Sequence, residues 1–453
     1  MSLTSVQKEH ITKTLPSERV FFDFGERADY TKDATEKIFL PDLLFFAESE
    51  DEIVAAINLC RELSLPLILR GAGTGYSGGA LAVKGGLLLS IQHLNEISID
   101  RAKKIAIVGP GAITGDIMKA AETHGLFYPP DPASYDESTI AGNVAENAGG
   151  LRCKKYGVTK DYLLSLRGVD AEGHIVECDQ SSPFGLADVL TGSEGTLFIF
   201  TRFTLRLIDL PCLGQTIQAT FNRAVDAASV VAEVTRQGIV PCIMEFMDAD
   251  AIECSNQYDP EHRIDGGAAM LLFETDGRNA EAEAEGIKAI CRAHNPRVLR
   301  LAANAEEREI LWKTRRNLSK AVKQAVKSKI SEDVCVPPSH LPELVSFVEE
   351  LNNRFRLRIN CYGHAGDGNL HVNFLGMTGE EWETEETEEG IRLLFDKTLS
   401  LGGTLTGEHG IGITKKEFLA NEFDPPTLQF MKRLKSRLDP SDFINPGKIF
   451  DNR

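Results

Sequence analysis

Five glycines between positions 71 and 79, directly after the apolar run Leu65–Leu69, constrain this chain more than any other feature in it. In Arg70-Gly71-Ala72-Gly73-Thr74-Gly75-Tyr76-Ser77-Gly78-Gly79 the backbone is nearly bare, so consecutive N–H groups can approach and cradle a diphosphate. A mere turn would not repay the conformational entropy that ordering so many glycines costs. A nucleotide cofactor is therefore expected. Residues 73–78 also satisfy G-x-G-x-x-G, but that dinucleotide fingerprint needs its third glycine to open a helix. Here Gly85 and Gly86 follow, and Leu87–Ile91 reads as a strand, so the loop joins strand to strand and an ordinary NAD site is not expected.

A chain of 453 residues outgrows a single hydrophobic core, and two are expected. The net charge of −18 opposes binding to nucleic acid or to an anionic membrane, which both need a basic face, so the partner should be a small molecule or another protein. The nine cysteines are scattered singly, without a CxxC pair; this argues against structural zinc, iron–sulfur ligation and disulfide chemistry, and for reduced, mostly buried thiols. No apolar run reaches the roughly 18 residues of a spanning helix, and Met1–Lys13 lacks the order of a signal peptide. A cytoplasmic protein is expected, peripheral to a membrane only through a partner; composition does not fix the oligomeric state, for which a homodimer is the candidate.

Periodicity places a helix over Ser49–Leu63, strands at Leu65–Leu69, Gly86–Ile91 and Lys104–Val108, a helix at Ile113–Gly125, and strands near Ser165–Asp170 and Leu197–Leu207. Beyond Pro211–Gly214 the order is strand (Gln215–Phe221), helix (Ala224–Gln237), strand (Val240–Met247), strand (Ala268–Glu274), helix (Glu281–His294), strand (Arg297–Leu301). That is the order of a ferredoxin-like sandwich. A long helix over Ala305–Ser328 and another over Ser339–Asn353 would pack around it, and the seven glutamates within 380–389 would form a solvated face or a helix start. The fold class expected is α+β, with domains at 1–209, 210–409 and a segment 410–453 returning to the first.

Two further segments are rich in small residues: Pro129-Pro130-Asp131-Pro132-Ala133-Ser134 followed by Thr139–Gly150, and Thr191-Gly192-Ser193-Glu194-Gly195-Thr196-Leu197. With the first loop, in this order, they resemble the FAD domain of the vanillyl-alcohol-oxidase (PCMH-type) flavoproteins, and most closely the D-lactate, glycolate and D-2-hydroxyglutarate dehydrogenases. The resemblance implies an FAD-binding domain with a ferredoxin-like FAD-linked-oxidase cap domain. It implies that Gly71, Ala72, Gly73, Thr74 and Gly75 hold the pyrophosphate of FAD, with Arg70, Ser77 and Gly78 as further cofactor-binding residues. Pro132, Ser134, Thr139, Gly142, Asn143, Ala145, Gly149, Glu194, Gly195, Ile199 and Asn445, the last in Asn445-Pro446-Gly447-Lys448-Ile449, would line the remainder. The first loop contains no histidine, so the FAD should be non-covalent. Phe198 stands where relatives usually carry glycine.

Cys361–Phe374 places His364 and His371 around three glycines that exclude a helix, so a loop entering a strand is expected, with His371 and Asn373 on one face. A loop folding His364 back beside His371 would make two imidazole ligands of one metal. In Thr406-Gly407-Glu408-His409-Gly410 an acid and a histidine are adjacent; if Glu408 is the third ligand, His409 is left to act as a base. Both loops match the signature of the D-2-hydroxyacid dehydrogenases. The segment Leu311–Ser319 resembles the family stretch that grips the substrate carboxylate, which assigns Arg315 and Ser319, four apart on one helical face, to substrate. Lys329 would be a second cation and Asn373 a further substrate contact.

These assignments predict oxidation of a D-2-hydroxy acid to its 2-keto acid at FAD, with His409 as catalytic base and a divalent ion, zinc or alternatively manganese or ferrous iron, on His364, His371 and Glu408. Electrons would leave to a separate acceptor: an electron-transfer flavoprotein, a quinone or an iron–sulfur subunit. The alternatives are same-fold chemistry without a metal, such as phenolic alcohol oxidation or ether-lipid synthesis, or a non-catalytic flavin subunit of an iron–sulfur complex.

Overall fold

The computed structural model describes residues 3–451 apart from 24, 26, 27, 265, 356 and 377–384. The chain divides into two compact units, one comprising 1–149, 158–210 and 408–453, the other 150–157 and 211–407. Residues 150–157 thus pack with the second unit although they interrupt the first in sequence.

In the first unit, strands Val20–Phe21, Leu43–Phe46, Leu87–Ser90 and Leu67–Arg70 form a sheet in that order, with the last three parallel. Helix Glu50–Leu63 starts where the Ser49 side chain accepts the Glu52 N–H and ends at Ser64 in the left-handed region. It buries Ile53, Ala56, Ile57 and Cys60 against Leu43, Phe45, Leu67 and Leu87. Fully burying four such side chains contributes on the order of 6–8 kcal/mol before entropy is charged against it. The Gly-rich loop leaves Arg70 and returns to Leu87 without forming a helix. A second sheet, antiparallel, runs Ile97–Asp100, Ile105–Val108, Ile199–Arg206, Leu163–Val169, Ile175–Asp179. The terminal segment comes back to the first sheet, where Ile444 bridges Leu67 in parallel register. Phe198 is accommodated by Gly168: a Cβ there would lie 2.5 Å from its ring.

The second unit is built on a seven-stranded antiparallel sheet ordered Val298–Leu301, Leu213–Phe221, Ala269–Asp276, Ile243–Asp248, Arg358–Gly363, Asn369–Gly376, Ser328–Cys335. Its first four strands, in spatial order 4-1-3-2, are the expected ferredoxin-like core. Three strands extend it beyond that core. Helices Ala224–Arg236 and Ala280–Ala293 pack on strands Leu213–Phe221 and Ala269–Asp276. A helix not anticipated from the sequence, Ala249–Tyr258, follows strand Ile243–Asp248 and is capped by the Asp248 carboxylate, which accepts the Ala251 N–H.

The expected single helix Ala305–Ser328 is instead two helices, Ala305–Arg316 and Leu318–Ala325, and Ser328 already begins a strand. Asn317 ends one helix and starts the next, so the four-residue spacing of Arg315 and Ser319 does not lie on one continuous helix. Of the glutamate-rich stretch, Glu385 opens helix Glu385–Ser400, whereas 380–384 lie outside the described residues. No disulfide joins any of the nine cysteines, and six of them are buried. No helix among the described residues is long and apolar enough to cross a membrane.

Candidate active site

The glycine loop lines the principal cleft of the first unit, which encloses about 1270 Å³ including its open mouth. The N–H groups of Ala72, Gly73, Thr74 and Gly75 donate to no other described residue, which leaves four consecutive donors available at the wall of the cleft. A Cβ on Gly75 would meet nothing within 4 Å and would project into the cleft. Gly73, at φ +73°, lies against the guanidinium of Arg70, where a side chain has no room. Arg70 lines the cleft but donates to the carbonyls of Lys32 (2.7 Å) and Asp29 (3.0 Å), and so anchors the loop.

Pro132, Ser134, Thr139, Gly142, Asn143, Ala145, Glu194, Gly195, Ile199 and Asn445 also line the cleft; Gly78 and Gly149 do not. Gly78 backs onto Ile413 at φ +79°. Unanticipated wall residues include Tyr76, Glu146, Phe200 and both Glu408 and His409. Buried Glu194, at φ +52°, accepts the N–H groups of Ile411 (2.7 Å) and Gly412 (2.6 Å), which fixes the turn after His409. Burial raises its carboxyl above the usual range against the pull of those donors. Asn445 accepts from Leu69 N–H and donates to the Gly195 carbonyl at 3.0 Å, tying strand Leu67–Arg70 to the Glu194 turn. Lys448 donates to Asn445 Oδ1 and to the Gly79 carbonyl; burial lowers its ammonium to about 7, despite Asp33, Glu194 and Glu146.

In the second unit, strands Arg358–Gly363 and Asn369–Gly376 are joined by a tight turn that carries His364. Gly363 and Gly368 let the backbone turn, and the two imidazoles meet at a centroid separation of 5.5 Å, edge to face. Both histidines are buried. The register pairs His371 with Asp333 on one side and Tyr362 on the other. Asp333, fully buried, accepts the Gly407 N–H at 2.8 Å and the Thr406 hydroxyl, so it anchors the turn whose next residue is Glu408. Held by that covalent neighbour, Glu408 offers a carboxylate oxygen that lies, with one ring nitrogen each of His364 and His371, in a set of three atoms all within 4.8 Å. Three such donors fit a 2-His-1-carboxylate centre.

His364 Nδ1 lies 2.8 Å from Oε1 of Glu245, and Oε2 of the same carboxylate accepts from Arg315 Nε at 2.6 Å. Arg315 is buried, its guanidinium over the Tyr362 ring at 5.4 Å. Ser319 is half-buried in the second turn-helix, and Lys329 half-buried opposite Leu375. Asn373 is fully buried; it donates to Asn360 (2.9 Å) and accepts from Ser331 (2.8 Å), so its amide serves the sheet. Sequence reasoning missed Glu245 and Asp333. The signal for Glu245 was available: it is a carboxylate inside the apolar run Cys242-Ile243-Met244-Glu245-Phe246-Met247.

Comparison with known proteins gives two family matches: the FAD binding domain over residues 41–179 and the FAD linked oxidases, C-terminal domain, over 211–449. The chain is 35% identical to the glycolate oxidase subunit GlcD of Bacillus subtilis (strain 168), over 99% of this chain and 97% of that one. It is 34% identical to a D-lactate dehydrogenase of Archaeoglobus fulgidus, over 88% and 89% of the two chains. Among solved structures, p-cresol methylhydroxylase with substrate bound superposes with a TM-score of 0.80 at 14% identity, covering 99% and 97%, which establishes a shared fold. The chain therefore belongs to the FAD-linked oxidases, as an FAD-dependent oxidoreductase made of a PCMH-type FAD-binding domain and an FAD-oxidase C-terminal domain.

Proposed function

We propose that this protein is a metal-dependent dehydrogenase that oxidises a D-2-hydroxy acid, namely D-lactate, glycolate or D-2-hydroxyglutarate, to the 2-keto acid. The observation that carries the reading is the convergence of His364, His371 and Glu408 on one point; the names of its relatives, a glycolate oxidase subunit and a D-lactate dehydrogenase, supply the substrate class. The N–H groups of residues 72–75 hold the diphosphate of FAD, non-covalently, and Ser134, Gly142, Ala145, Gly195 and Ile199 lie along its remainder. FAD, when bound, would supply the hydride acceptor, and a divalent ion on His364, His371 and Glu408, zinc by preference over manganese or ferrous iron, would supply Lewis acidity towards the hydroxyl.

The protein's own groups do the rest. His409 takes the hydroxyl proton, and Arg315, with Ser319 and Lys329 assisting, faces the carboxylate. The reaction leaves two electrons in the chain, and since its cysteines are scattered singly, a separate acceptor must collect them: an electron-transfer flavoprotein, a quinone or an iron–sulfur subunit. We place the enzyme in the cytoplasm, touching a membrane only through that partner.

The test is turnover of D- and L-lactate, glycolate and D-2-hydroxyglutarate by the purified holoenzyme with an artificial electron acceptor, alongside elemental analysis. The reading requires about one divalent ion per chain and selectivity for the D-enantiomer; a metal-free enzyme that oxidises a phenolic alcohol instead would overturn it.

A further inference from the structure

Glu245 sits in strand Ile243–Asp248 with 1% of its surface exposed, a buried carboxylate in direct contact with His364. Strand alternation puts it on the same face as Met247, which pairs with Tyr362, and Tyr362 pairs with His371. Its two oxygens have separate duties. Oε2 takes both Nε (2.6 Å) and Nη2 (2.5 Å) of Arg315, and Oε1 takes Nδ1 of His364 (2.8 Å). Nothing in the oxidation of a hydroxy acid uses a carboxylate here directly. We propose that Glu245 is a positioning residue with two separate roles: through Oε1 it fixes the tautomer of His364 for divalent-metal binding, and through Oε2 it fixes the orientation of Arg315 for carboxylate binding. The proposal rests on the metal and substrate reading above.

The chemistry follows from the donor inventory. Arg315 keeps its protons and only donates, so the carboxylate opposite it accepts on both oxygens. Nδ1 of His364 must then carry the proton, which leaves Nε2 as the lone-pair nitrogen that a metal requires. At Arg315, Glu245 occupies the Nε/Nη2 edge and Tyr362 the face, so the guanidinium cannot rotate. Its Nη1 donates to no described residue and is the corner left for a substrate carboxylate. A glutamine at 245 keeps the shape but breaks the logic. Its single carbonyl oxygen stays with the charged Arg315, its NH₂ faces His364 Nδ1, and the imidazole is pushed to the Nε2–H tautomer, which cannot ligate.

The experiment titrates chelator-stripped holoenzyme with Zn²⁺ by calorimetry, comparing wild type, Glu245→Gln, Arg315→Met and His364→Ala, with flavin content and circular dichroism measured on each. Glu245→Gln is expected to weaken zinc binding about 10- to 100-fold and to raise KM. Arg315→Met should raise KM but leave zinc affinity within about threefold, since it spares the Glu245–His364 bond; a second-sphere imidazole partner, not the salt bridge, governs the ion. Wild-type zinc affinity in Glu245→Gln, with affinity lost in His364→Ala, would overturn the role of Glu245 while leaving the metal reading intact. Undiminished zinc affinity in His364→Ala would overturn both. If Glu245→Gln does not fold, nitrogen-15 NMR of His364 in the stripped wild type decides: an Nδ1–H tautomer supports the proposal, and an Nε2–H tautomer overturns it.

Discussion

The ring of Tyr76 stacks on the imidazole of His409, with centroids 5.0 Å apart and planes inclined by 27°. Tyr76 belongs to the glycine-rich loop and His409 to the turn pinned by Glu194, so the element proposed to cradle the diphosphate also holds the ring of the proposed base. Stacked aromatic pairs contribute roughly 0.5–1.5 kcal/mol beyond the area they bury. Replacing Tyr76 by Phe should therefore leave kcat within about twofold, whereas Tyr76→Ala should lower it about three- to tenfold with zinc content unchanged. Steady-state kinetics with metal analysis checks this, and His409→Gln, tested beside it, should lose on the order of 10²–10⁴-fold in kcat.

Gly73 and Gly75 make a contrasting pair. A Cβ at Gly75 would enter open cleft, so Gly75→Ala should leave the melting temperature of the flavin-stripped protein unchanged and weaken FAD binding. Gly73→Ala meets both a positive φ and the Arg70 guanidinium, and should cost about 1–3 kcal/mol of stability even without flavin. Thermal unfolding of the apoproteins and fluorescence titration with FAD separate the two effects.

How far the sequence foretold this arrangement depends on the range of the interactions. Local patterns placed the loop at 70–79, the helix capped by Ser49 and the ferredoxin-like strand order, because each is set by periodicity and turn chemistry within a dozen residues. Glycines flanking His364, His371 and Glu408 marked these segments as loops in the sequence, and the structure brings one donor atom of each within 4.8 Å of the others. What stayed hidden were residues that act across the sheet: Glu245 meets His364 over 119 positions and Asp333 meets Gly407 over 74. Pairing register alone brings them together, and register is not written in either segment. Helix Ala249–Tyr258 stayed hidden as well: Asp248 is its N-cap, but Asp250 in its first turn binds Arg358 at 2.8 Å over 108 positions.

Lys448 gives the fold a pH dependence of known sign. Its folded pKa, lowered to about 7 by burial, lies below the ordinary value of 10.5 that it regains on unfolding. Between those values the unfolded chain binds the extra proton, so this group makes stability rise with pH from about 7 towards 10.5. The slope is bounded by about 1.4 kcal/mol per pH unit. Lys448→Met should flatten the rise, as urea unfolding at pH 7, 8 and 9 would reveal; identical slopes in the two proteins would contradict the assignment.

Glu274 is the clamp on helix Ala305–Arg316. Its buried carboxylate accepts two bonds from Arg308, both at 2.8 Å, one from Trp312 Nε1 at 2.5 Å and one from Thr216 at 3.1 Å. Glu274→Ala leaves the indole N–H and the half-buried guanidinium without this acceptor and should destabilise the protein by about 2–4 kcal/mol. Because Arg315 lies on the same helix, KM for the hydroxy acid should rise as well, a joint effect that denaturant unfolding and kinetics together measure.

Flavin reduction in a single turnover tests the central claim most directly. Anaerobic holoenzyme is mixed in a stopped-flow instrument with D-lactate, L-lactate, glycolate or D-2-hydroxyglutarate, before and after chelation, and the flavin absorbance is followed. The account predicts rapid bleaching by glycolate or by one D-acid, none by L-lactate, and loss of bleaching on chelation with recovery when zinc is restored. Bleaching that survives complete removal of the ion, or no bleaching by any of these acids with FAD and metal present, would contradict it.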